Sequence, residues 1–305
     1  MEKMLFQNEA ILGKPFLKWA GGKTQLMDII FQNLPLTNIG TFIEPFIGSG
    51  AVAFRMLSLY PDIKVIINDI NSDLINVYRA IKENVSELIT ELKFLEKEYN
   101  ISQDLECKKE FFYEIRNEYN KRDSFYKEIS VKYASYFIFL NKTCFNGLYR
   151  VNSKNGFNVP FGKYSSPCIC NENLLNIDST LLQRAIILNG DYSLTFDYVG
   201  LDGDTLFYFD PPYKPISATS SFNSYSADTF DDNQQIRLKD FCDKLSSNNI
   251  KFMLSNSDPK SVDTQNDFFD VLYSDYKIQR VNAKRNINSK GNGRGEIKEL
   301  LICNY

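Results

Sequence analysis

Histidine is absent from this sequence of 305 residues. Catalysis by Ser-His-Asp or Cys-His groups is therefore excluded, and so are histidine general bases and zinc sites built on histidine. Any chemistry has to use carboxylates, lysines, hydroxyl groups, backbone groups or a bound cofactor.

Long apolar runs and paired cysteine motifs are also missing. No apolar stretch reaches the roughly 18 residues that a membrane helix requires, and the first residues, Met1 to Met4, do not read as a signal peptide. The six cysteines form no C-x-x-C pair, although Cys168 and Cys170 are close in the sequence. We interpret them as reduced thiols and expect a cytoplasmic protein with no membrane partner.

Acidic residues are missing from two segments, although the chain as a whole has a net charge of −3. Residues 129–171 contain five basic side chains and no acid, and residues 276–295 contain six basic side chains and no acid. Two basic segments on an acidic protein predict a local groove for a polyanion. A solvated basic surface is the alternative interpretation of either segment alone.

The apolar periodicity predicts strands that alternate with helices, which indicates a mostly parallel α/β sheet. Strands are predicted at residues 41–44, 63–68, 185–189, 205–209, 250–255 and 298–303, and helices at 50–59, 73–99, 108–140 and 234–246. Residues 73–182 contain no clear core strand and read as a largely helical insertion. We therefore predict a sheet domain formed by residues 1–72 and 183–305, and an inserted domain of residues 73–182 that carries the first basic segment.

The most informative motif is Asp210-Pro211-Pro212-Tyr213, which follows the predicted buried strand 205–209. The prolines hold the backbone extended, and Pro211 offers a carbonyl without an N–H. This set suits a planar group with an exocyclic NH2. Asp210 and the Pro211 carbonyl can each accept one amino hydrogen, while Tyr213 stacks on the ring. A plain proline-rich loop after a core strand is the alternative.

A second motif, residues 42–52, reads as a strand, a tight glycine loop and the start of a helix. Gly48 and Gly50 allow a small ligand to approach the backbone at the carboxyl end of the strand. Asp69 follows about twenty residues later, at a position where an acid commonly binds ribose hydroxyls. Binding of NAD is a weaker alternative, because the loop lacks the third glycine of the dinucleotide fingerprint.

A third motif, Lys18 to Thr24, ends like a phosphate-binding P-loop. Leu17 stands where that loop requires glycine, and no strand precedes the motif, so we reject an NTPase. Trp19 is either a core residue or a stacking lid over a ligand ring. Lys23 either faces solvent or reaches a carboxylate.

Together these motifs resemble one family, the N6-adenine DNA methyltransferases of the Dam type, which use S-adenosylmethionine. The matching blocks, in the family's order, are residues 18–23, 44–51, 68–69, 146–152, 156–164, 210–213, 214–219 and 252–258. The similarity covers residues 16–305, and residues 85–128 are its least diagnostic part. It implies a Rossmann-like methyltransferase sheet with an inserted, mostly helical DNA-recognition domain that carries a β-hairpin.

The resemblance implies S-adenosylmethionine as the cofactor, S-adenosylhomocysteine as the product, and no metal. Physical reasoning agrees for three side chains: Trp19 offers a face to stack on, Lys23 can pair with the methionyl carboxylate, and Asp69 can accept ribose hydroxyls. The predicted cofactor-binding residues are Trp19, Lys23, Glu44, Pro45, Phe46, Gly48, Gly50, Asp69, Asp191 and Asp210. The predicted catalytic residues are Asp210, Pro211, Pro212 and Tyr213.

The predicted substrate is an adenine in double-stranded DNA, flipped out of the helix because a stacked base cannot reach such a pocket. Phe145 is placed to wedge between bases, although an aromatic residue in this position is as often part of the core. Arg150 is the best candidate for a bidentate contact to a guanine. The other predicted DNA contacts are Lys18, Asn146, Lys163 and Tyr164. Similarity to the Dam group in the hairpin and after the catalytic motif points to GATC as the recognition site.

Two other functions stay open at this stage. The same tetrapeptide would also suit an RNA base or a protein glutamine amide, and a homologue without activity would only bind DNA. We expect a monomer. The sequence does not separate a solitary regulatory role from restriction-modification, in which a cognate restriction endonuclease would be a functional partner without forming a complex.

Overall fold

The computed structural model describes residues 12–19, 21–123, 128–200, 204–213, 230–284 and 296–305. Its helices are α1 (Met27–Asn33), α2 (Ala51–Leu59), α3 (Ser72–Glu83), α4 (Val85–Ile101), α5 (Leu105–Tyr119), α6 (Val131–Thr143), α7 (Glu172–Leu182), α8 (Asp232–Ser247) and α9 (Phe268–Leu272). Its strands are β1 (Ile39–Glu44), β2 (Lys64–Asp69), β3 (Ala185–Asn189), β4 (Asp204–Phe209), β5 (Lys251–Ser257), β6 (Lys277–Lys284) and β7 (Glu296–Cys303). No helix in the described ranges is long and apolar enough to cross a membrane.

The described strands form one sheet in the order β3-β2-β1-β4-β5-β7-β6. Strands β1 to β5 are parallel, whereas β7 runs antiparallel to both of its neighbours, β5 and β6. The chain proceeds outwards from β1 to β3 and then returns to β4 on the other side of β1. In open α/β sheets, ligands bind outside the carboxyl ends of the strands at such a switch point. The topology therefore places a site at the ends of β1 and β4.

Strand β4 shows why the sheet is covered on both faces. Leu206 and Tyr208 belong to one apolar core, and Phe207 and Phe209 belong to the other. Side chains alternate across a strand, so a strand that is buried on both faces has to be a continuous apolar run. The first core extends into α4, α5 and α6, and the second core contains α8.

The predicted fold class is confirmed, and every predicted strand is present. Strand β6 was not among the predicted strands. It lies at the edge of the sheet, where polar and charged residues are common. The helical pattern over residues 73–99 is two helices that meet at Asn84, and the pattern over residues 108–140 is interrupted between α5 and α6. These helix boundaries were wrong because periodicity continues across a short break.

A hairpin follows α6, as the resemblance implied. The Phe145 N–H donates to the Pro160 carbonyl at 2.8 Å, and the Asn152 N–H donates to the Gly156 carbonyl at 2.9 Å. The two arms pair through isolated antiparallel bridges rather than a regular ladder. Helices α3 and α7 both contact β3 as well as each other. The division into a sheet domain and an inserted domain therefore stays a prediction.

A buried ion pair ties this hairpin to the start of α3. Arg122 Nε and Nη2 donate to the two carboxylate oxygens of Asp73 at 2.8 and 2.6 Å, and the Tyr149 hydroxyl donates to the same carboxylate at 2.8 Å. Arg122 Nη2 also donates to the carbonyl of Asn155 in the hairpin at 3.0 Å. Because α3 comes shortly after β2, the pair connects the hairpin to the edge of the sheet where the site lies.

Candidate active site

Three acidic side chains meet at the carboxyl edge of the sheet. Glu44 is the last residue of β1, Asp69 is the last residue of β2, and Asp210 directly follows β4. The three strands are parallel neighbours, so their ends lie at the same edge. The sequence motifs that carry these acids are thereby brought together, as the prediction required.

Asp210 is held through one of its two carboxylate oxygens. Lys23 Nζ lies 2.7 Å from Asp210 Oδ1, and the Ser255 hydroxyl donates to the same oxygen at 3.2 Å. Ser255 is itself 3.0 Å from the Tyr208 hydroxyl. Among the described residues, both contacts fall on Oδ1, which leaves Oδ2 as the oxygen available for a substrate. Burial raises the pKa of Asp210, and the neighbouring Lys23 opposes that rise.

Lys23 lies at the centre of a group that we call the Lys23 cluster: Lys23, Asp210, Tyr213 and Glu299. The Lys23 side chain is only 3% exposed, and its ammonium contacts the Tyr213 hydroxyl and lies 3.6 Å from Glu299 Oε2. The Tyr213 hydroxyl donates to Glu299 Oε2 at 2.8 Å. Sequence reasoning missed Glu299, because a single glutamate in the predicted strand 298–303 has no pattern that would mark it.

The two prolines fix the loop and leave one carbonyl unused. The buried Gln235 side chain donates to the Pro212 carbonyl at 3.2 Å and accepts from Asn256 Nδ2 at 3.4 Å. Pro211 is buried, and its carbonyl accepts no hydrogen bond from the described part of the chain. Asp210 Oδ2 and the Pro211 carbonyl are therefore the two acceptors that the motif presents.

Asp69 is anchored by the glycine loop. The Gly48 N–H donates to Asp69 Oδ2 at 3.2 Å, and the Asn71 N–H donates to Oδ1 at 2.9 Å. Burial raises the pKa of Asp69 to about 6, against the lowering effect of these backbone bonds. Asp69 as a residue is half-buried, so a ligand can still reach it.

The loop between β1 and α2 needs glycine at two positions. Gly48 has φ +46°, and a Cβ there would lie 3.0 Å from Trp19 Nε1. Gly50 has φ +73°, and a Cβ there would lie 2.6 Å from the Tyr78 hydroxyl, which donates to the Gly48 carbonyl at 3.0 Å. Both positions combine a left-handed backbone with close packing, so a side chain at either would displace its neighbour.

Trp19 connects the glycine loop to the helical segment. Its ring stacks with Tyr149 at a centroid distance of 5.7 Å, and with Phe137 at 6.4 Å. Phe137 and Tyr149 also stack on each other at 4.8 Å. The lone tryptophan is thus half-buried beside Gly48 and forms part of an aromatic group.

Asn68 is a further residue to which sequence reasoning assigned no role. Its Nδ2 donates to the Pro45 carbonyl and to the Gly190 carbonyl, each at 3.0 Å. These carbonyls belong to the loops that follow β1 and β3, so Asn68 joins the loops on both sides of β2. Its position next to Asp69 was the only signal for it.

Glu44 and Phe46 line the same edge. Glu44 is 3% exposed, and its Oε2 has no hydrogen-bond partner in the described part of the chain. Burial and the nearby Asp210 raise the pKa of Glu44 well above its usual value. Phe46 packs against Tyr192 and Phe230, with ring centroids 5.3 and 5.7 Å away.

Asp191 lies at the same rim, but other side chains already hold its carboxylate. Arg237 donates to both carboxylate oxygens at 2.7 and 2.8 Å, and Ser193 donates through its N–H and its hydroxyl. Arg237 is the main cause of a pKa of Asp191 lowered to about 2. The structure therefore places Asp191 at the predicted edge, where it is ionised and paired.

The hairpin presents its predicted DNA contacts at the surface. Phe145 is 51% exposed, which favours the wedge interpretation over a core position. Asn146 follows it in a left-handed conformation with φ +56°. Arg150 is exposed, and its Nε donates to Asn158 Oδ1 at 2.8 Å, which holds the guanidinium along the hairpin.

Lys18 joins the segment beside the glycine loop to the hairpin. Asn141, which is buried, bonds to both the N–H and the carbonyl of Lys18 and also to the Gly147 carbonyl. Lys18 Nζ lies 4.6 Å from the centre of the Tyr164 ring. Lys163, the next predicted contact, is exposed. These predicted contacts therefore lie beside one another.

One arginine of the second basic segment is less available to a polyanion than the sequence indicated. Arg280 Nε lies 2.9 Å from Asp258, and Arg280 Nη2 donates to both oxygens of Asp270. This arginine is thus neutralised within the protein. The later basic residues Arg285, Lys290 and Arg294, and the family block at 214–219, lie outside the described residues.

The sequence matches one family over most of its length. Residues 19–287 match the family described as D12 class N6 adenine-specific DNA methyltransferase. The match includes the glycine loop, the hairpin and the tetrapeptide that the structure brings together. It thus covers the elements that form the candidate site except β7, which carries Glu299.

Several full-length relatives agree with this match. The chain is 50% identical to the Type II methyltransferase M.MjaIII of Methanocaldococcus jannaschii, over 96% of this chain and 99% of that protein. It is 38% identical to the Type II methyltransferase M1.LlaDCHI of Lactococcus lactis subsp. cremoris, over 99% of each. It is 32% identical to the DNA adenine methylase of Escherichia coli K12, over 94% of each. The chain therefore belongs to the D12 class of N6 adenine-specific DNA methyltransferases, as its motifs predicted, and it is an adenine-specific DNA methyltransferase.

Proposed function

We propose that this enzyme transfers a methyl group from S-adenosylmethionine to N6 of an adenine that is flipped out of double-stranded DNA, within the sequence GATC. The observation that carries the proposal is the state of the tetrapeptide loop. Asp210 is gripped by Lys23 and Ser255 through Oδ1 alone, and the neighbouring Pro211 carbonyl is not engaged by a described residue. Two acceptors and an aromatic ring then remain for one amino-substituted base.

The chemical difficulty lies with N6, whose lone pair is delocalised into the purine ring. Asp210 Oδ2 and the Pro211 carbonyl each accept one N6 hydrogen, which favours a tetrahedral nitrogen and directs its lone pair. Tyr213 stacks on the base and fixes its plane. Asp210 also stabilises the positive charge that develops on N6. After the transfer N6 would lose a proton, and S-adenosylhomocysteine would leave as the second product. Bound S-adenosylmethionine supplies an activated methyl group, so the protein contributes orientation and electrostatics.

The residues at the sheet edge fit this cofactor. Gly48 and Gly50 keep the loop tight and free of side chains, and Glu44 Oε2 is a buried oxygen without a described hydrogen-bond partner. Asp69 would accept the ribose hydroxyls, and Trp19 would offer an aromatic face. The remaining proposed contacts are Pro45 and Phe46 beside the loop and Asp191 at the adenine. Lys23 was predicted at the methionyl carboxylate, but its side chain is 3% exposed and its ammonium already lies beside Asp210 and Glu299, so we do not propose that contact.

The hairpin provides the proposed DNA contacts. Flipping an adenine costs a few kcal/mol, and an exposed Phe145 can fill the space that the base leaves. Arg150 would read a guanine. The other proposed contacts, to phosphates or bases, are Lys18, Asn146, Lys163 and Tyr164. Such contacts make binding strongly salt-dependent. The monomeric state, the cytoplasmic location and any functional link to a restriction endonuclease stay predictions.

The proposal is tested by methyl transfer from labelled S-adenosylmethionine to two short duplexes, one with a single GATC and one with that site scrambled. Label is expected in the GATC duplex alone, on N6 of adenine. Equal labelling of both duplexes would agree with a DNA methyltransferase but refute the proposed GATC specificity. No label in either duplex would redirect the search to other DNA sequences, then to RNA bases and protein glutamines, and to a protein that only binds DNA.

The role of Arg150 has its own expected result in the same assay. The wild-type enzyme should favour GATC over a duplex in which the guanine is replaced. In Arg150→Ala, the difference in transition-state free energy between the two duplexes should fall by about 1–3 kcal/mol. Lys163→Ala is the matched control, because a phosphate contact should weaken transfer to both duplexes alike. An Arg150→Ala enzyme that discriminates as well as the wild type would contradict guanine reading by this residue.

Cofactor affinity is expected to fall as the pH drops through 6. The pKa of Asp69 is about 6, and only the ionised carboxylate can accept two ribose hydroxyls. The dissociation constant for S-adenosylmethionine should therefore rise about tenfold between pH 7 and pH 5, as measured by calorimetry without DNA. Asp69→Asn should bind weakly at both pH values, without this dependence. A wild-type dissociation constant that stays the same between pH 7 and pH 5 would contradict ribose binding by Asp69.

A further inference from the structure

We propose that Glu299 is a positioning residue of the active site, which holds the Tyr213 ring and the Lys23 ammonium where they act on the flipped base and on Asp210. The inference rests on the proposed function and adds a residue to it. Glu299 lies in β7, 86 residues after Tyr213 and far from the other two motifs in the sequence. It was found only through its contacts in the Lys23 cluster.

Glu299 fixes the ring that would stack on the base. Tyr213 is the last described residue of the tetrapeptide loop and is half-buried. Its hydroxyl donates to Glu299 Oε2 at 2.8 Å. An aromatic ring bound at its far end loses rotational freedom, so the plane on which a base stacks is set before the base arrives.

Glu299 also shares the charge of Lys23. A cation that is 3% exposed requires compensation, and Lys23 Nζ has Asp210 Oδ1 at 2.7 Å and Glu299 Oε2 at 3.6 Å. With two carboxylates around one ammonium, Asp210 is not neutralised completely. Glu299 is also among the groups that raise the pKa of Asp210. Its charge thereby makes Asp210 a better acceptor for an amino hydrogen.

The backbone position of Glu299 is rigid. It pairs with Ser257 of β5 on one side and with Val281 of β6 on the other. The side chain is 17% exposed and points to the same cluster from a strand that is bonded along both edges. A group that orients catalytic residues has to start from such a support.

Glu299→Gln separates the charge of this residue from its shape. The glutamine carbonyl can still accept from Tyr213, but it cannot share the Lys23 charge. We expect kcat for methyl transfer to fall by about 10- to 100-fold, with a small change in KM for DNA, because misplacement of a catalytic group acts on the transition state. The acid limb of the pH–rate profile should move to lower pH, because loss of a nearby negative charge lowers the pKa of Asp210.

A fluorescence measurement tests the same role without cofactor. In a duplex that carries 2-aminopurine at the target position, a base stacked on Tyr213 is quenched. The Glu299→Ala complex, which has no side-chain acceptor for the Tyr213 hydroxyl, should be brighter than the wild-type complex, since a less restrained ring stacks less well. Equal brightness for Glu299→Ala, together with an unchanged kcat and an unchanged acid limb for Glu299→Gln, would overturn the proposal.

The controls distinguish this inference from the proposed function. Glu118→Gln, the same substitution at an exposed partner of Lys121, should leave kcat and the profile unchanged. If Glu299→Gln does not fold, Tyr213→Phe provides the test, because it removes the hydroxyl and keeps the ring. Tyr213→Phe with full kcat and wild-type fluorescence would then overturn the proposal. A wild-type enzyme that does not methylate adenine would refute the proposed function itself, whatever the variants show.

Discussion

Asp210→Asn is expected to lower the rate of methyl transfer by about 10²–10³-fold, with little change in DNA binding. The amide has the shape of the carboxylate but no charge to stabilise the positive N6. It would also present an NH2 where an acceptor is required. Lys23 would still have Glu299, so its ammonium would keep one carboxylate within 3.6 Å. The measurement is single-turnover transfer at saturating DNA and cofactor.

Folding should change little in this variant, because two effects oppose each other. Burial raises the pKa of Asp210, so above that pKa its charge lowers the stability of the folded state, and Asn removes this cost. Loss of the contact to Lys23 has the opposite effect. The midpoint of thermal unfolding distinguishes a chemical defect from a folding defect.

Asp204→Asn is the matched control for this prediction. Asp204 begins the same strand, β4, is exposed, and lies 3.8 Å from Lys251 at the opposite edge of the sheet. Its substitution should leave the rate of transfer unchanged. An Asp210→Asn enzyme as fast as the wild type would show that Asp210 does not stabilise the reacting nitrogen.

Asp73→Asn is expected to lower the free energy of unfolding by about 3–5 kcal/mol, because it leaves Arg122 as a buried charge without its partner. The two side chains are 4% and 2% exposed. Asp73 accepts from Arg122 at both oxygens and from the Tyr149 hydroxyl, and an amide can satisfy only part of this set. The loss should appear as a lower urea midpoint, with the same dependence of the unfolding free energy on urea concentration.

The same substitution should weaken DNA binding even where the protein remains folded. Arg122 also donates to the Asn155 carbonyl of the hairpin. Tyr149, which donates to Asp73, immediately precedes Arg150, so the contacts around Asp73 hold the hairpin in position. The control is Glu118→Gln, which breaks an exposed ion pair and should not move the urea midpoint. A midpoint for Asp73→Asn equal to that of the control would mean that the buried pair does not stabilise the fold.

Local patterns in the sequence were enough for the class of fold and for placing most residues of the candidate site at one edge of the sheet. The tetrapeptide after a buried strand, the glycine loop and Asp69 were all identified as parts of one edge of a parallel sheet. This succeeded because the carboxyl ends of parallel strands lie together whatever the details of packing. The same reasoning failed for β6 and for the breaks within the long helical patterns. An edge strand with polar residues and a short interruption at Asn84 both lack a clear periodic signal.

By itself, the sequence determined which residue types could act at this site: with no histidine, any chemistry had to use carboxylates, lysines, hydroxyl groups, backbone groups or a bound cofactor. Only the tertiary structure decided how they are arranged. It placed Lys23 and Ser255 on one oxygen of Asp210, and it brought Glu299 to Tyr213 across 86 residues of sequence. It also showed that Arg280 is paired with acids, although its segment looked free to bind a polyanion. Periodicity depends on neighbours along the chain, whereas these contacts depend on strand order and on the insertion of β7 between β5 and β6.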